Sequence, residues 1–322
     1  MKKILSICLV FAFLFSLCSC VKKPDPADRY TVRVVALKGP TGMGLATLMS
    51  EDEQEKTKND YSFLLCSEPT EVAAQVLRGD FDVAAVPVNL AASLFNKGAD
   101  ISLLAVNTLG VLYLLENGTE IQNIGDLRGK TVYATNPGAT PEYILNFVLE
   151  KNGLTPGADV TVEFMADASE LAIRLAAGNA NVGMLPEPSV SAALQSGSGT
   201  LRVALDMTEE WNKVCETELA QGCLVVSNSF RTEHPEAFRT LSEEMKASVD
   251  AVNRDVSAAS ELIAKYGIVP NAKIAEKALP NCHICFFVGE RAAEIMKNML
   301  MVLWEANPAS VGGKLPNDSF YG

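Results

Sequence analysis

The fold is decided by the stretch Leu77-Arg-Gly-Asp-Phe-Asp-Val-Ala-Ala-Val-Pro87. Its pattern predicts the end of a helix joined to a buried strand through a glycine. Gly79 suits the left-handed conformation in which many helices end. The apolar run after Asp82 is typical of a strand covered on both faces. Leu175-Ala-Ala-Gly-Asn-Ala-Asn-Val-Gly183 repeats the phrase later in the chain. The repeat predicts two similar lobes, each built from strands and helices.

Predicted strands and helices alternate around both stretches. Strands are predicted at 31–37 and 101–106 with others between them, and the rhythm restarts at 110–115 and runs to 201–205. This alternation is typical of a parallel sheet with helices on both faces. Beyond a last strong strand at 222–227 the apolar spacing becomes helical, which predicts a helix-rich return to the first lobe.

These patterns give an α/β fold class and a set of boundaries. Residues 31–108 together with 215–322 are predicted to form lobe 1, and residues 109–214 to form lobe 2. The chain would cross between the lobes near 107–110 and again near 206–222, leaving a cleft between them.

The N-terminus has the pattern of a lipoprotein signal peptide. Two lysines precede an apolar run that is shorter than the ~20 residues of a membrane-spanning helix. The run ends in Leu17-Cys18-Ser19-Cys20, which resembles the bacterial lipobox. We therefore predict a signal peptide at 1–19, lipidation of Cys20 and a polar tether at 20–30. An ordinary secretory signal or an uncleaved anchor helix is the alternative.

Charge and cysteine content exclude some partners. The net charge of -12 disfavours nucleic acid as a partner. Cys282-His-Ile-Cys285 supplies two thiols where a structural zinc site needs four ligands, so no metal is expected. Cys215 with Cys223, or Cys282 with Cys285, could form disulfides, while Cys66 lies in an apolar run and is expected to be buried.

Several segments in order resemble one family. They are the lipobox, Gly39-Pro-Thr-Gly-Met-Gly44 after the first strand, the 77–87 phrase with its echo at 175–183, Ile124-Gly-Asp-Leu-Arg-Gly-Lys-Thr-Val132, and the ending 312–321. Asn181 stands where the family usually has an acid. The chain resembles substrate-binding lipoproteins of bacterial ABC importers that bind sulfonates, nitrate, taurine or thiamine-precursor pyrimidines, which have the type II periplasmic-binding-protein fold.

The resemblance implies a role. The chain would be a monomer held by its lipid on the outer face of the cytoplasmic membrane, with no cofactor. It would capture a small organic solute (sulfonate, carboxylate or pyrimidine-like) in the interlobe cleft and deliver it to an ABC permease and its ATPase. An enzyme of the same fold, of the thiamine-pyrimidine or menaquinone-pathway type, and a ligand-sensing receptor domain are the alternatives. With two histidines and no nucleophile beside a base, an enzyme is not expected.

The candidate binding residues lie in loops after strands. In open α/β sheets ligands bind beyond the carboxyl ends of strands, and free N–H groups at helix starts favour an anion. The candidates are Thr41, Gly42, Met43, Val88, Asn89, Gly138, Ala139, Thr140, Glu187 and Trp211.

Each candidate has an alternative interpretation. The glycines and threonines could serve only as turns and helix caps. Glu187 could favour a cationic solute or face solvent. Trp211, Tyr113 and Tyr143 could stack on a flat ring or pack in the core.

Overall fold

Two β-sheets organise the chain in a computed structural model that describes residues 29–135, 137–165, 167–197 and 199–322. The predicted signal peptide, Cys20 and most of the predicted tether lie outside these residues. The strands are β1 (Thr31–Leu37), β2 (Asp60–Cys66), β3 (Val83–Pro87), β4 (Ile101–Thr108), β5 (Leu112–Asn117), β6 (Thr131–Thr135), β7 (Thr161–Met165), β8 (Val182–Pro186), β9 (Leu201–Asp206), β10 (Gly222–Ser227) and β11 (Ile284–Phe287).

Helices connect most of the strands and dominate the C-terminal third. They are α1 (Pro40–Met43), α2 (Ala46–Glu53), α3 (Pro69–Arg78), α4 (Val88–Asn96), α5 (Thr140–Lys151), α6 (Ala168–Ala176), α7 (Ser189–Ser196), α8 (Met207–Asn212), α9 (Asn228–Glu233), α10 (Pro235–Arg254), α11 (Val256–Lys265), α12 (Ala272–Ala278) and α13 (Gly289–Ala306). Among the described residues, no helix is both long enough and apolar enough to cross a bilayer.

The first sheet has the strand order β11-β4-β10-β3-β1-β2. Strands β1, β2 and β3 are parallel, whereas β10 runs antiparallel to both β3 and β4, with Gly222 paired to Pro87 and to Thr108. The ends of β1, β3 and β4 and the start of β10 therefore lie at one edge, which we call the first tip.

The second sheet has the order β7-β6-β8-β5-β9. Strand β6 is parallel to β7 and β8, and β5 is antiparallel to β8 and β9, with Leu112 paired to Pro186. The ends of β6 and β8 and the start of β5 therefore share an edge, the second tip. Residues 109–111 and 213–221 connect the two tips, and we call them the first and second crossings.

Both sheets are mixed, although the alternation of strands and helices predicted parallel ones. The strand after each crossing, β5 or β10, enters its sheet at the tip and must run away from it. It is therefore antiparallel to the strands that end there. Strand β11 pairs with β4 and interrupts the return that the sequence predicted to be helical. The return itself, to the sheet that contains β1, is as predicted.

The sequence signal at the repeated phrase has the expected local structure. Helix α3 starts with a capping box between Glu68 and Glu71, which satisfies backbone donors that the first turn leaves free. It ends at Gly79, whose φ of 75° is a left-handed conformation that other residues rarely adopt. Gly178 follows α6 with a φ of 73°. Both glycines therefore end helices, as predicted.

One apolar cluster packs against both sheets. It includes Val35 and Leu303 beside the first sheet and Leu114, Ile144 and Trp211 beside the second. A smaller cluster, which includes Tyr113 and Leu185, contains residues of β5, β8 and the helices α6 and α7. A leucine or isoleucine buried in this way stabilises the fold by ~1.5–3 kcal/mol.

Candidate functional site

Side chains at the first tip are bonded to one another. The Asn107 amide nitrogen donates to the Thr41 carbonyl oxygen at 2.9 Å, and the Thr108 hydroxyl donates to the Asn107 amide oxygen at 3.2 Å. A Cβ atom on Gly222 would lie 2.9 Å from that oxygen and 3.0 Å from atoms of Thr41 and Thr108. The glycine is thus needed for this close packing, and the first tip is a tightly fitted surface.

The glycine-rich loop at 39–44, after β1, has fewer free backbone N–H groups than the sequence predicted. The N–H groups of Gly42 and Met43 both point to the Gly39 carbonyl oxygen, at 3.0 and 3.1 Å. The loop closes as a four-residue helix, α1, and its own turn uses these donors. Thr41, Gly42 and Met43 are buried. The prediction of free amides at Gly42 and Met43 is therefore wrong.

Gln221 joins the end of β4 to the start of α4 at the second crossing. Its N–H donates to the Thr108 oxygen at 2.9 Å, and its carbonyl accepts from the Val88 N–H at 3.1 Å. The side-chain nitrogen of Gln221 is buried and has no hydrogen-bond partner among the described residues. Val88 is buried and Asn89 is half-buried beside it. The first tip thus keeps a spare donor at Gln221.

The second tip has a similar unpaired group at Thr140, the first residue of α5. Thr140 is 5% exposed, and its hydroxyl has no hydrogen-bond partner within the described ranges. The preceding Gly138 donates its N–H to the Glu142 carboxylate at 2.5 Å, so this amide is also occupied. Gly138 is exposed and Ala139 half-buried.

Glu187 lies at the second tip, between β8 and α7, and is 1% exposed. Its carboxylate accepts the Ser191 N–H and hydroxyl, both at 3.0 Å, and the Asn281 side-chain amide at 3.2 Å. Burial raises the pKa of this carboxyl above its usual value, and the hydrogen bonds from Ser191 and Asn281 oppose that rise. Both oxygens are engaged by the protein itself.

The aromatic candidates pack against other parts of the protein. Trp211 is 0% exposed, its ring lies 4.8 Å from that of Phe147, and its indole N–H donates to the Thr217 oxygen at 2.7 Å. Tyr113 donates its hydroxyl hydrogen to the Asn281 oxygen at 2.9 Å. The Asn307 amide donates to the Tyr143 hydroxyl at 2.9 Å. These positions fit the packing interpretation that the sequence left open for all three rings.

Thr41, Gly42, Met43 and Val88 at the first tip are buried, as are Thr140 and Glu187 at the second, whereas Gly138 is exposed. Two grooves lie elsewhere. One of about 750 Å³ runs between α5 and α13 and is lined at one end by Gly138. Another of about 730 Å³ lies at the edge of the second sheet opposite its tip, beside Glu116 and Lys130.

The cysteines of the described residues are unbridged. All five in the described residues are free thiols, and that part of the chain holds no group of three or more potential metal-ligating side chains. Burial raises the pKa of Cys285 to about 12 and that of Cys282 well above its usual value, so neither thiol is primed for nucleophilic chemistry. Cys66 is buried.

Sequence reasoning missed three polar residues near the tips: Gln221, Thr208 and Asn281. The Thr208 hydroxyl is also buried without a partner among the described residues, and a Cβ on Gly110 of the first crossing would lie 1.9 Å from it. No periodicity or motif marks these residues, because their importance depends on which distant segments meet at the crossings.

Comparison with known proteins finds a partial match to one family model. Residues 104–260, just under half of the chain, match the family model described as ABC transporter, phosphonate, periplasmic substrate-binding protein. The matched segment begins within β4, includes the whole second sheet and ends within α11. A search of curated proteins found no match.

Solved structures share the fold over nearly the whole chain. An ABC transporter protein from Parabacteroides distasonis is 22% identical with a TM-score of 0.77, covering 91% of this chain and 98% of that one. The periplasmic aliphatic sulphonate-binding protein SsuA from Escherichia coli is 17% identical with a TM-score of 0.70, covering 90% and 93%. The alkanesulfonate-binding protein SsuA from Xanthomonas axonopodis pv. citri, bound to MOPS, is 17% identical with a TM-score of 0.64, covering 90% and 96%. The predicted fold class is confirmed.

Proposed function

We infer, from the premise that this chain is the substrate-binding component of an ABC importer, that it captures a small organic oxyanion between its two tips. The partial match to the family model and the shared fold support the premise. The family is one of solute binders rather than enzymes. The solute, the residues that hold it and the anchoring of the chain are our proposals.

The observation that carries the solute class is the pair of unsatisfied donors, the Thr140 hydroxyl and the Gln221 side-chain amide. Each is buried without a partner among the described residues, one at the second tip and one at the first. A buried polar group left without a hydrogen bond costs roughly 1–3 kcal/mol, so native proteins rarely keep one without a reason. A solute with several acceptor oxygens would satisfy both groups.

Sulfonates and phosphonates fit these donors well. Each carries three terminal oxygens on one atom, and such oxygens accept strong hydrogen bonds from neutral donors. The names of the matching family model and of two structural neighbours refer to phosphonate or sulfonate. Glu187 does not oppose this choice through free oxygens, because its carboxylate is already bonded to Ser191 and Asn281.

Among the candidates predicted from the sequence, we retain Thr140 as the main solute-binding residue. Thr41, Val88 and Asn89 lie at the first tip, and Gly138 and Ala139 lie next to Thr140, so they stay in the proposed site as its surroundings. Gln221 and Thr208 join them. Trp211 is proposed as a core residue instead, because its ring is fully buried against Phe147.

Capture would proceed by closure at the two crossings. We propose that the lobes have the boundaries predicted from the sequence, 31–108 with 215–322 and 109–214, and that they rotate about residues 109–111 and 213–221. The solute enters while the tips are apart and is buried when they meet. The closed monomer then docks on a permease, whose ATPase supplies the energy for import.

Cys20 would tether this receptor outside the cytosol. We propose that residues 1–19 are removed as a signal peptide and that the new N-terminal cysteine carries lipid, with 20–30 as a spacer. Intact-mass measurement of the membrane fraction would show the added lipid, and replacement of Cys20 by serine would release the protein in an unlipidated form. A mature protein that begins elsewhere would contradict the anchor without affecting the proposed site.

A matched set of small probes tests the solute class. Ethanesulfonate, ethylphosphonate, propionate, ethylammonium and an aminopyrimidine differ mainly in the polar group. A binding probe raises the melting temperature, since a ligand at 100 times its Kd stabilises the folded state by ~2.7 kcal/mol. We expect the sulfonate or the phosphonate to give the largest rise. A response to ethylammonium or the aminopyrimidine alone would contradict the proposal.

A further inference from the structure

Residues 281–283 connect the C-terminal part of the chain to the second sheet. The Asn281 carbonyl oxygen accepts from the Tyr113 hydroxyl at 2.9 Å, and Tyr113 lies on β5. The Asn281 side-chain amide donates to the Glu187 carboxylate at 3.2 Å, just after β8. Asn281 thus forms hydrogen bonds at the ends of two neighbouring strands, β5 and β8, at the second tip. In the chain, however, it follows α12 and precedes β11 of the first sheet.

The same segment also holds the first crossing. The His283 carbonyl oxygen accepts the Leu109 N–H at 3.2 Å, and His283 Nδ1 lies 2.5 Å from the Gly110 carbonyl oxygen. Because a carbonyl oxygen can only accept, Nδ1 must carry the proton.

His283 adopts a backbone conformation that needs support from its surroundings. Its φ is 45°, in the left-handed region that residues other than glycine rarely occupy. Such strain persists only where neighbouring contacts enforce it, and it is concentrated at functional sites. Cys282, at 0% exposure, anchors the segment in the core beside it.

We propose that residues 281–283 are a hinge clamp that holds the two tips together. The segment touches the crossing through His283 and the second sheet through Asn281, so opening of the lobes must break or stretch these bonds. Asn281 is then a positioning residue for capture, and it contacts no solute. Only the expected effect of the clamp on solute affinity depends on the proposed function.

The clamp would set how much of the empty protein is closed. If only the closed state presents both tips to the solute, the apparent Kd equals the intrinsic Kd divided by the closed fraction. Weakening the clamp therefore weakens binding without removing a solute contact. A protein with a stronger clamp would close more readily but release its solute more slowly.

The test uses the solute-free protein, so it does not depend on the identity of the solute. Asn281→Leu removes the amide that reaches Glu187. Asn253→Leu is the matched control, because the Asn253 amide donates to the Ile284 oxygen at 2.8 Å on the first-sheet side and does not reach the second sheet. Tyr113→Phe removes the hydrogen bond from the Tyr113 hydroxyl to the Asn281 carbonyl oxygen. It tests the clamp independently if Asn281→Leu does not fold.

We expect Asn281→Leu and Tyr113→Phe to increase the radius of gyration in small-angle X-ray scattering. Amide exchange of Leu109 should become about tenfold faster, which corresponds to ~1.4 kcal/mol. Asn253→Leu should leave both measurements at wild-type values. The clamp proposal would be overturned if Asn281→Leu and Tyr113→Phe both fold and give the same scattering and amide exchange as wild type. This holds even if solutes bind as proposed. If no probe binds but both clamp variants open, the clamp stands and the solute proposal fails.

Discussion

The two tips are joined by the two crossings but differ in how their polar groups are used. At the first tip, Thr41, Asn107 and Thr108 bond to one another, and Gly222 fits against them with no space for a side chain. At the second tip, Thr140 has an unused hydroxyl, and Glu187 extends to Asn281 on the first-sheet side.

This difference suggests a division of labour. The first tip is a preformed surface whose shape is set by its own contacts, and Gln221 is its spare donor. The second tip is completed by groups outside its own sheet: Asn281 in the empty protein and, as we propose, the solute at Thr140. Stability should therefore depend mainly on the first tip, and capture mainly on the second.

The largest expected effect comes from filling the space at Gly222. A Cβ there would lie 2.9 Å from the Asn107 amide oxygen, so Gly222→Ala should lower the free energy of unfolding by up to ~3 kcal/mol. Chemical denaturation measures the loss. Gly199→Ala is the control, since no described atom lies within 4 Å of its added Cβ. Equal stability of the two variants would show that the first tip is not tightly fitted.

Glu187→Leu tests the connection from the second tip. The change leaves the Ser191 N–H and the Asn281 amide without their acceptor, and an unsatisfied buried donor costs ~1–3 kcal/mol. We expect a loss of ~2 kcal/mol in urea unfolding. Ser191→Ala removes only the Ser191 hydroxyl and keeps the Glu187 carboxylate, so it should lower the free energy of unfolding by less. A Glu187→Leu protein as stable as wild type would mean that the carboxylate is not held as described.

Thr140→Val separates binding from stability. Valine has nearly the same shape as threonine but lacks the hydroxyl, which has no partner among the described residues. We expect the empty protein to be as stable as wild type or slightly more stable, while the Kd for the best probe rises about tenfold, or ~1.4 kcal/mol. Calorimetric titration measures the Kd. An unchanged Kd would remove Thr140 from the proposed site.

The smallest effect is a pH dependence caused by Glu187. Its pKa is higher in the folded protein because of burial, so the folded state binds this proton more tightly than the unfolded state. The stability gained from this group is fully present below the ordinary pKa of 4.5 and is lost as pH rises through the raised value. Glu187→Gln abolishes this titration. The stability difference, wild type minus variant, should therefore fall as pH rises above 4.5, and a flat difference would contradict the burial of an ionisable carboxyl.

Short-range patterns predicted much of the fold. The helix ends at Gly79 and Gly178, the strand at 31–37 and the strand at 222–227 each depend on a few consecutive residues, whose spacing is visible in the sequence. The candidate site was only partly predictable. Thr140, which we keep in the proposed site, was a candidate because it follows a strand and starts a helix.

Long-range contacts explain what the sequence did not reveal. Asn281 and Glu187 are 94 residues apart, and no periodicity relates them. The loop at 39–44 has the composition of an anion-binding turn, yet whether Gly42 and Met43 direct their amides outward or to Gly39 depends on the turn geometry. Antiparallel placement of β5 and β10 likewise follows from where the crossings enter the sheets.

Amide exchange with and without the best-binding probe tests the central claim most directly. If the solute is held between the two tips, peptides covering 38–44 and 87–92 at the first tip and 137–143 and 186–191 at the second should all exchange more slowly in its presence. Slower exchange at one tip only, or only in the groove between α5 and α13, would contradict capture between the sheets.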